Sequence, residues 1–166
     1  MAEKDIVFSG KISHNGLFDF KEFYTFCYDW LKDNNFHITE SEYKEAIAGE
    51  AKNIEIVWDA KRKISDYFQF SIQMRWRILN MKKVKVKKEG KEVDTNNGMM
   101  TIGIKAVLIK DYEHRWEDQA IWKFLRGVYD RYIIRSRIEH YEDQLLAELE
   151  EYVSQCKAFL ALEARR

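Results

Sequence analysis

The clearest structural signal in the chain lies in residues 68–78, which read FQFSIQMRWRI. Apolar and polar side chains alternate here without a break, which is the period of a β-strand with one dry and one wet face. The dry face would carry Phe68, Phe70, Ile72, Met74, Trp76 and Ile78. The alternation therefore predicts an antiparallel sheet whose dry face has to be covered by other elements.

Weaker alternation recurs on both sides of this stretch. Residues 5–12 and 53–64 predict strands before it, and residues 100–108 predict a strand after it. Residues 36–50 remain open between a strand and a short helix. Together these segments predict an antiparallel meander in the centre of the chain.

The turns have to be formed without proline, because the chain contains none. Gly, Asn and Asp residues are the alternative turn formers. They predict turns at His14-Asn15-Gly16, at Glu89-Gly90-Lys91 and at Asn96-Asn97-Gly98.

Helical patterns flank the meander. In residues 17–34, apolar side chains recur at three- and four-residue spacing, and residues 117–162 are rich in helix formers. The second segment predicts one long C-terminal helix, or two helices broken near Gly127. It contains an apolar seam, made of Ile138, Tyr141, Leu145, Leu149, Tyr152, Cys156 and Phe159. The predicted fold class is α+β, a curved antiparallel sheet covered on one face by the N-terminal helix and the long C-terminal helix.

This order of elements resembles the helix-grip arrangement of the START-domain and plant-allergen superfamily, over most of the chain and without a shared motif. The resemblance implies a cavity for a lipid or another apolar molecule between the sheet and the C-terminal helix. The side chains expected at such a site are Phe68, Phe70, Met74, Trp76, Trp122 and Tyr129. The chain departs from that superfamily in having one longer helix where two short ones are usual, and in its longer final helix. The general character of the sequence also resembles that of small archaeal proteins, and no activity follows from this resemblance.

Length and composition favour a single globular domain over residues 1–166, with 139–166 as a candidate helical extension. The chain has 46% hydrophobic residues, which is enough to form a substantial core. Its two cysteines, Cys27 and Cys156, are far apart and form no zinc motif, so a reducing, cytoplasmic location is expected. Neither a signal peptide nor a membrane span is indicated by the hydropathy pattern.

Known catalytic motifs are missing from the sequence. It contains no GxGxxG, GxxxxGK[ST], HExxH or GxSxG pattern. We therefore assign no catalytic residue, no metal ligand and no cofactor, and an enzymatic activity has no motif in its favour.

Charge is segregated along the chain although the net charge is zero. Residues 61–91 carry eleven basic and two acidic residues, whereas residues 139–152 carry six acidic ones and no Lys or Arg. A basic strip of this kind could follow the phosphates of RNA or face an anionic membrane. Its members are Lys61, Arg62, Lys63, Arg75, Arg77, Lys83, Lys85 and Lys87. The strip lacks interleaved aromatic residues, and lysines also protect edge strands from aggregation.

A second cluster mixes aromatic and basic residues in the early part of the C-terminal helical segment. Such a helix face could lie on a partner or a membrane, although most of its aromatic side chains are expected in the core. The cluster comprises Trp122, Lys123, Phe124, Arg126, Tyr129, Arg131, Tyr132, Arg135 and Arg137.

Three functions follow from these patterns as hypotheses. The first is an interaction or assembly domain that binds a protein partner or a second copy through residues 139–162, where the apolar seam would be left uncovered. The second is a carrier of an apolar ligand in the cavity beneath the helix. The third is binding of RNA or an anionic surface by the basic strip.

Overall fold

A computed structural model describes residues 3–110, 120–128 and 135–164 of the chain. The elements are β1 (Glu3–Phe18), α1 (Phe20–Asp33), β2 (His37–Ala48), β3 (Ala51–Lys63), β4 (Phe68–Lys88), β5 (Lys91–Lys110), α2 (Ala120–Val128) and α3 (Arg135–Ala164). The five strands form one open antiparallel sheet in the order β1-β5-β4-β3-β2. The predicted α+β class is confirmed. None of the described helices is long and apolar enough to cross a membrane.

The core lies between one face of the sheet, here called the inner face, and helices α1 and α3. Even-numbered side chains of β4 from Phe68 to Ile78 are buried on this face, as the alternation predicts. Helix α1 begins after the N-cap Asp19, whose side chain accepts a hydrogen bond from the Glu22 backbone N–H at 3.1 Å. The helix then buries Phe23, Cys27 and Leu31 against the sheet.

The two covering helices also contact each other. The Sγ atoms of Cys27 and Cys156 lie 3.8 Å apart, and both thiols are free and buried. The Tyr152 hydroxyl donates to the Cys27 carbonyl at 3.2 Å, and its ring stacks on Trp30 with centroids 4.4 Å apart. These contacts fix α1 and α3 side by side above the sheet.

A β-bulge interrupts β4 between Leu79 and Lys82, where one extra residue is inserted relative to β5. Asn80 adopts a positive φ of 54°, and its N–H donates to Asn53 Oδ1 at 3.0 Å. Gly98 lies against the bulge, because a Cβ at this position would come within 3.0 Å of the Leu79 carbonyl oxygen and of Met81 Cα.

The structure differs from the predicted turns at two points. The predicted turn at Asn96-Asn97-Gly98 is wrong, because these residues pair with β1 and with β4 inside a long ladder. The turn predicted at residues 14–16 is also part of β1, which continues to Phe18. Residues 37–48 form a strand, and the described parts of the C-terminal segment are helical over Ala120–Val128 and Arg135–Ala164.

Candidate functional site

The face of the sheet opposite α1 and α3, here called the outer face, concentrates positive charge. Residues directly opposite each other in neighbouring strands share a face, so the strand register assigns its side chains. In the five rows of paired residues that run through Gln69 to Arg77 of β4, here called the five charged rows, eight exposed basic residues lie on it, drawn from all five strands: Lys4, Lys11, Lys44, Lys61, Lys63, Arg75, Arg77 and Lys105. Three acidic residues, Glu42, Glu55 and Asp59, accompany them.

The acidic residues offset the positive charge mainly at one end of the outer face. Lys44 Nζ lies 2.7 Å from Glu42 Oε1, and Arg77 Nε lies 4.0 Å from Glu55 Oε1. Towards the other end, the rows that contain Lys4, Lys61 and Lys105 hold a single acid, Asp59. These three rows hold four basic residues and one acid, and the other two rows hold four basic residues and two acids, so the net positive charge extends along the whole outer face.

A depression of about 490 Å³ opens at the end of the outer face that contains Lys4, Lys61 and Lys105. Polar groups line most of it, together with the apolar side chains of Val107 and Ile109. The polar lining is Lys4, His37, Thr39, Asp59, Lys61, Ser71, Gln73 and Lys105. Lysine ammonium groups, hydroxyls and an amide are the donors that bind phosphate oxygens.

Only part of the basic strip lies on the outer face. Lys61, Lys63, Arg75 and Arg77 do so, as predicted. The bulge after Leu79 shifts the alternation by one residue, so the three hairpin lysines do not continue the row of Arg75 and Arg77. Instead they pair with residues of β5 across the hairpin: Lys83 with Asn96, Lys85 with Asp94 and Lys87 with Glu92.

Arg62, a predicted member of the basic strip, is on the inner face and apart from Lys61 and Lys63. It alternates with Lys61 and Lys63, and it pairs with Phe70 of the core. Its guanidinium lies 4.7 Å above the Phe36 ring and donates to the Asn34 carbonyl at 2.8 Å. Arg62 therefore has a structural role between the sheet and the helices.

The outer face could be found only in part from the sequence. Lys4, Lys11, Lys44 and Lys105 belong to it, yet they lie far from residues 61–91 in the chain. Strand alternation alone would have put Lys105 on the polar side of β5. The lateral register that brings the four beside Lys61 and Arg75 depends on strand order, which the sequence does not reveal.

The side chains expected around an apolar cavity are packed against protein instead. Trp76 is 2% exposed and contacts the rings of Phe23, Tyr24 and Trp58 at centroid distances of 5.0 to 5.9 Å. Phe68 and Phe70 contact Tyr141, and Met74 Sδ lies 3.6 Å from the Tyr152 hydroxyl. The Trp122 side chain and Tyr129 lie outside the described part of the structure.

The apolar seam of α3 is used within this chain. Leu145, Leu149, Tyr152 and Cys156 are fully buried in the core, whereas Ile138, Tyr141 and Phe159 are partly buried against it. The apolar seam is therefore covered within the chain and is not left exposed for a partner. Binding of a protein partner or self-association through residues 139–162 stays a prediction.

The titratable groups with the most strongly raised pKa lie among core side chains. Burial raises the pKa of the Cys27 thiol and of the Tyr152 hydroxyl well above their ordinary values. Burial and the Glu40 carboxylate raise the pKa of Tyr24 to about 12. Packing explains all three shifts without an active site.

The described residues contain no group of three or more His, Cys, Asp or Glu side chains arranged to hold a metal ion. Comparison of the chain with protein-family models, with curated proteins and with solved structures gave no match in any of the three. The case for a function therefore rests on the geometry of the chain itself.

Proposed function

We propose that the outer face binds the phosphate backbone of a nucleic acid. The observation that carries this proposal is the eight-to-three excess of basic over acidic residues on one face of a chain whose net charge is zero. Such a field attracts polyanions and holds them by release of their counterions.

The dimensions of the charged surface favour an extended polyanion. Five strands about 4.8 Å apart give a width of about 19 Å, and the five charged rows span about 26 Å along the strands. The cations are spread over this area instead of converging on one point. Several phosphates along a strand match that distribution better than a single small anion does.

The side chains between the cations indicate how the nucleic acid is contacted. The five charged rows contain no Phe, Tyr or Trp, so base stacking of the kind used by single-strand binders is not available there. Ser71, Gln73 and Thr39 offer neutral donors next to the lysines. We therefore expect backbone contacts with little sequence preference.

The proposal is tested by fluorescence anisotropy with labelled RNA and DNA, both duplex and single-stranded, over a salt series. The test variant is Lys61→Gln/Arg75→Gln/Lys105→Gln, which removes three charges from the outer face. We expect it to bind at least about tenfold more weakly and to lower the slope of log K against log salt by about 2 to 3.

A matched control removes the same number of charges from the helices. Lys21, Lys32 and Lys157 are exposed on α1 and α3, and their replacement by Gln should leave nucleic-acid affinity nearly unchanged. If both variants lost the same amount of nucleic-acid affinity, the effect would come from overall charge alone, and the proposal would be overturned. Binding that does not depend on salt would overturn it as well.

A further inference from the structure

Seven of the eight basic residues in the five charged rows form two lines that run along the strands. The first line contains Lys4, Lys11 and Lys105 on β1 and β5, and the second contains Lys61, Lys63, Arg75 and Arg77 on β3 and β4. Strands β1 and β5 carry no acidic residue in these rows, whereas Asp59 and Glu55 of β3 belong to the second line. Each line therefore has an excess of positive charge. The eighth basic residue, Lys44, lies on β2 and pairs with Glu42.

Uncharged residues separate the two lines. Lys4 and Lys63 share one row and are three strands apart, whereas Lys11 and Arg75 share another row and are two strands apart. With about 4.8 Å between neighbouring strands, the lines are about 10 to 14 Å apart. The residues between them, here called the neutral strip, are Gln69, Ser71, Gln73, Thr101, Gly103, Val107 and Ile109.

We infer that the outer face binds a nucleic-acid duplex, with one line of cations on each of the two phosphate strands that border a groove. This inference rests on the nucleic-acid proposal and names the class of nucleic acid. The grooves of B-DNA are about 6 Å and about 12 Å wide, which is of the order of the spacing between the lines. The long, flexible lysine side chains adapt to the remaining difference.

The neutral strip then faces the groove between the two phosphate strands. Ser71, Gln73 and Thr101 offer hydroxyl and amide groups to base edges or sugar oxygens. In a duplex of RNA, the 2′-hydroxyls in the minor groove are further partners for these groups. Duplex DNA and duplex RNA share the two phosphate strands on which the inference depends.

A single strand matches this arrangement less well. It would follow one line and leave the other without phosphates. Its unpaired bases would face the neutral strip, which contains no aromatic ring for them to stack on. In a duplex, the bases are already paired and stacked.

The size of the preference follows from the charge density of the two forms. The five rows have eight basic and three acidic residues, so about five phosphates are neutralised. The salt exponent is about 0.9 per phosphate for a duplex and about 0.7 for a single strand. For equal contacts, the duplex should therefore bind about tenfold more tightly at about 0.1 M salt.

The test is fluorescence anisotropy of the full chain with a duplex of about 16 base pairs and an unstructured single strand of about 32 nucleotides, which have similar numbers of phosphates. Both are measured as DNA and as RNA. We expect the duplex of at least one of the two to bind about tenfold more tightly than its matched single strand. The arms of the test show whether that duplex is DNA or RNA.

Two variants test whether each line of cations contacts the duplex. Lys4→Gln/Lys11→Gln/Lys105→Gln removes the first line, and Lys61→Gln/Arg75→Gln/Arg77→Gln removes three charges from the second. Each should lower duplex affinity at least about tenfold. The single strand should lose less than the duplex in both variants, because it can follow the line that remains. Circular dichroism and thermal unfolding establish that both variants are folded.

The outcomes separate this inference from the proposed function. If the single strand binds as tightly as the duplex for both DNA and RNA, the duplex inference is overturned and the nucleic-acid proposal stands. Loss of duplex affinity in only one line variant would also overturn the inference, because one phosphate strand would then lack its cations. Absence of binding to every nucleic acid by the folded chain would overturn the nucleic-acid proposal itself.

Discussion

Arg62 of β3 and Glu148 of α3 form an ion pair in which Arg62 Nη2 contacts both carboxylate oxygens, at 2.9 Å from Oε2 and at 3.2 Å from Oε1. The two side chains are 14% and 24% exposed, so the pair is largely shielded from water. Gln144 also donates to Glu148 Oε1 at 3.3 Å, and the Arg62 guanidinium lies 4.9 Å above the Phe70 ring. One side chain thus connects the sheet, the α1–β2 loop at Asn34 and the long helix.

Loss of this pair should destabilise the fold without affecting the outer face. We expect Arg62→Ala to lower the free energy of unfolding by about 2 to 3 kcal/mol, because Glu148 then loses a charged partner in a partly buried place. Arg62→Lys should lose less, since it keeps a charge near Glu148 but lacks the second nitrogen, Nη1, that donates to the Asn34 carbonyl. Urea denaturation measures both values.

Lys61→Ala is the control, because Lys61 is the sequence neighbour of Arg62 and is exposed on the outer face. It should change stability by no more than about 0.5 kcal/mol. The opposite ranking, with Lys61 the more important residue for stability, would contradict the assigned positions of the two side chains.

The case of Arg62 shows how far the sequence could be interpreted. Strict alternation in 68–78 was enough to predict the sheet and its dry face, because the period of a strand is a local property. The same rule, applied to residues 61–63, separates Arg62 from its neighbours, but three consecutive basic residues suggested a single strip. Which strand lies beside which depends on long-range pairing, and no local pattern encodes it.

The bulge illustrates a second limit. Asn96-Asn97-Gly98 has the composition of a hairpin turn, and the same composition suits a strand that passes close to a bulge in its neighbour. In the structure, Gly98 lies in a strand that passes close to a bulge, because backbone atoms of Leu79 and Met81 occupy the space that a Cβ of residue 98 would need. The position of the bulge in turn decides which face the hairpin lysines occupy.

Substitution of Gly98 tests this close approach. We expect Gly98→Ala to lower the free energy of unfolding by about 1 to 3 kcal/mol, because the methyl group meets backbone atoms that cannot move independently. Gly103→Ala is the matched control in the same strand, since a Cβ there meets nothing within 4 Å. Thermal unfolding of both variants gives the comparison, and a similar loss in both would argue against the close approach at Gly98.

The two central tryptophans should respond differently to the same substitution. Trp58 Nε1 donates to Glu40 Oε2 at 3.2 Å, whereas the buried Trp76 Nε1 has no hydrogen-bond partner in the described part of the chain. Both changes to Phe remove ring volume, but Trp76→Phe also removes an unpaired buried donor. We expect Trp58→Phe to be more destabilising by about 1 kcal/mol, as measured by urea denaturation. A larger loss for Trp76→Phe would mean that its indole N–H is satisfied.

Tyr24 should make stability sensitive to alkaline pH. Its hydroxyl donates to Glu40 Oε2 at 2.5 Å, and burial together with this carboxylate raises its pKa from 10.0 to about 12. Because the folded pKa lies above the unfolded one, the neutral hydroxyl contributes its full stabilisation below pH 10, and that contribution is lost as the pH rises through about 12. Above pH 10, the free energy of unfolding should therefore fall more steeply for the wild type than for Tyr24→Phe.

Urea denaturation at a series of pH values from about 8 to about 11 compares these slopes. Glu40→Gln should give an intermediate slope, because it removes the carboxylate charge but leaves burial, the larger cause of the raised pKa. The ionisation of the other tyrosines is common to the wild type and Tyr24→Phe and cancels in that comparison, whereas Glu40→Gln also removes the contribution of Glu40 to the raised pKa of Tyr43. If the curves of wild type and Tyr24→Phe run parallel above pH 10, the Tyr24 hydroxyl ionises equally readily in the folded and unfolded chains, contrary to its placement beside Glu40.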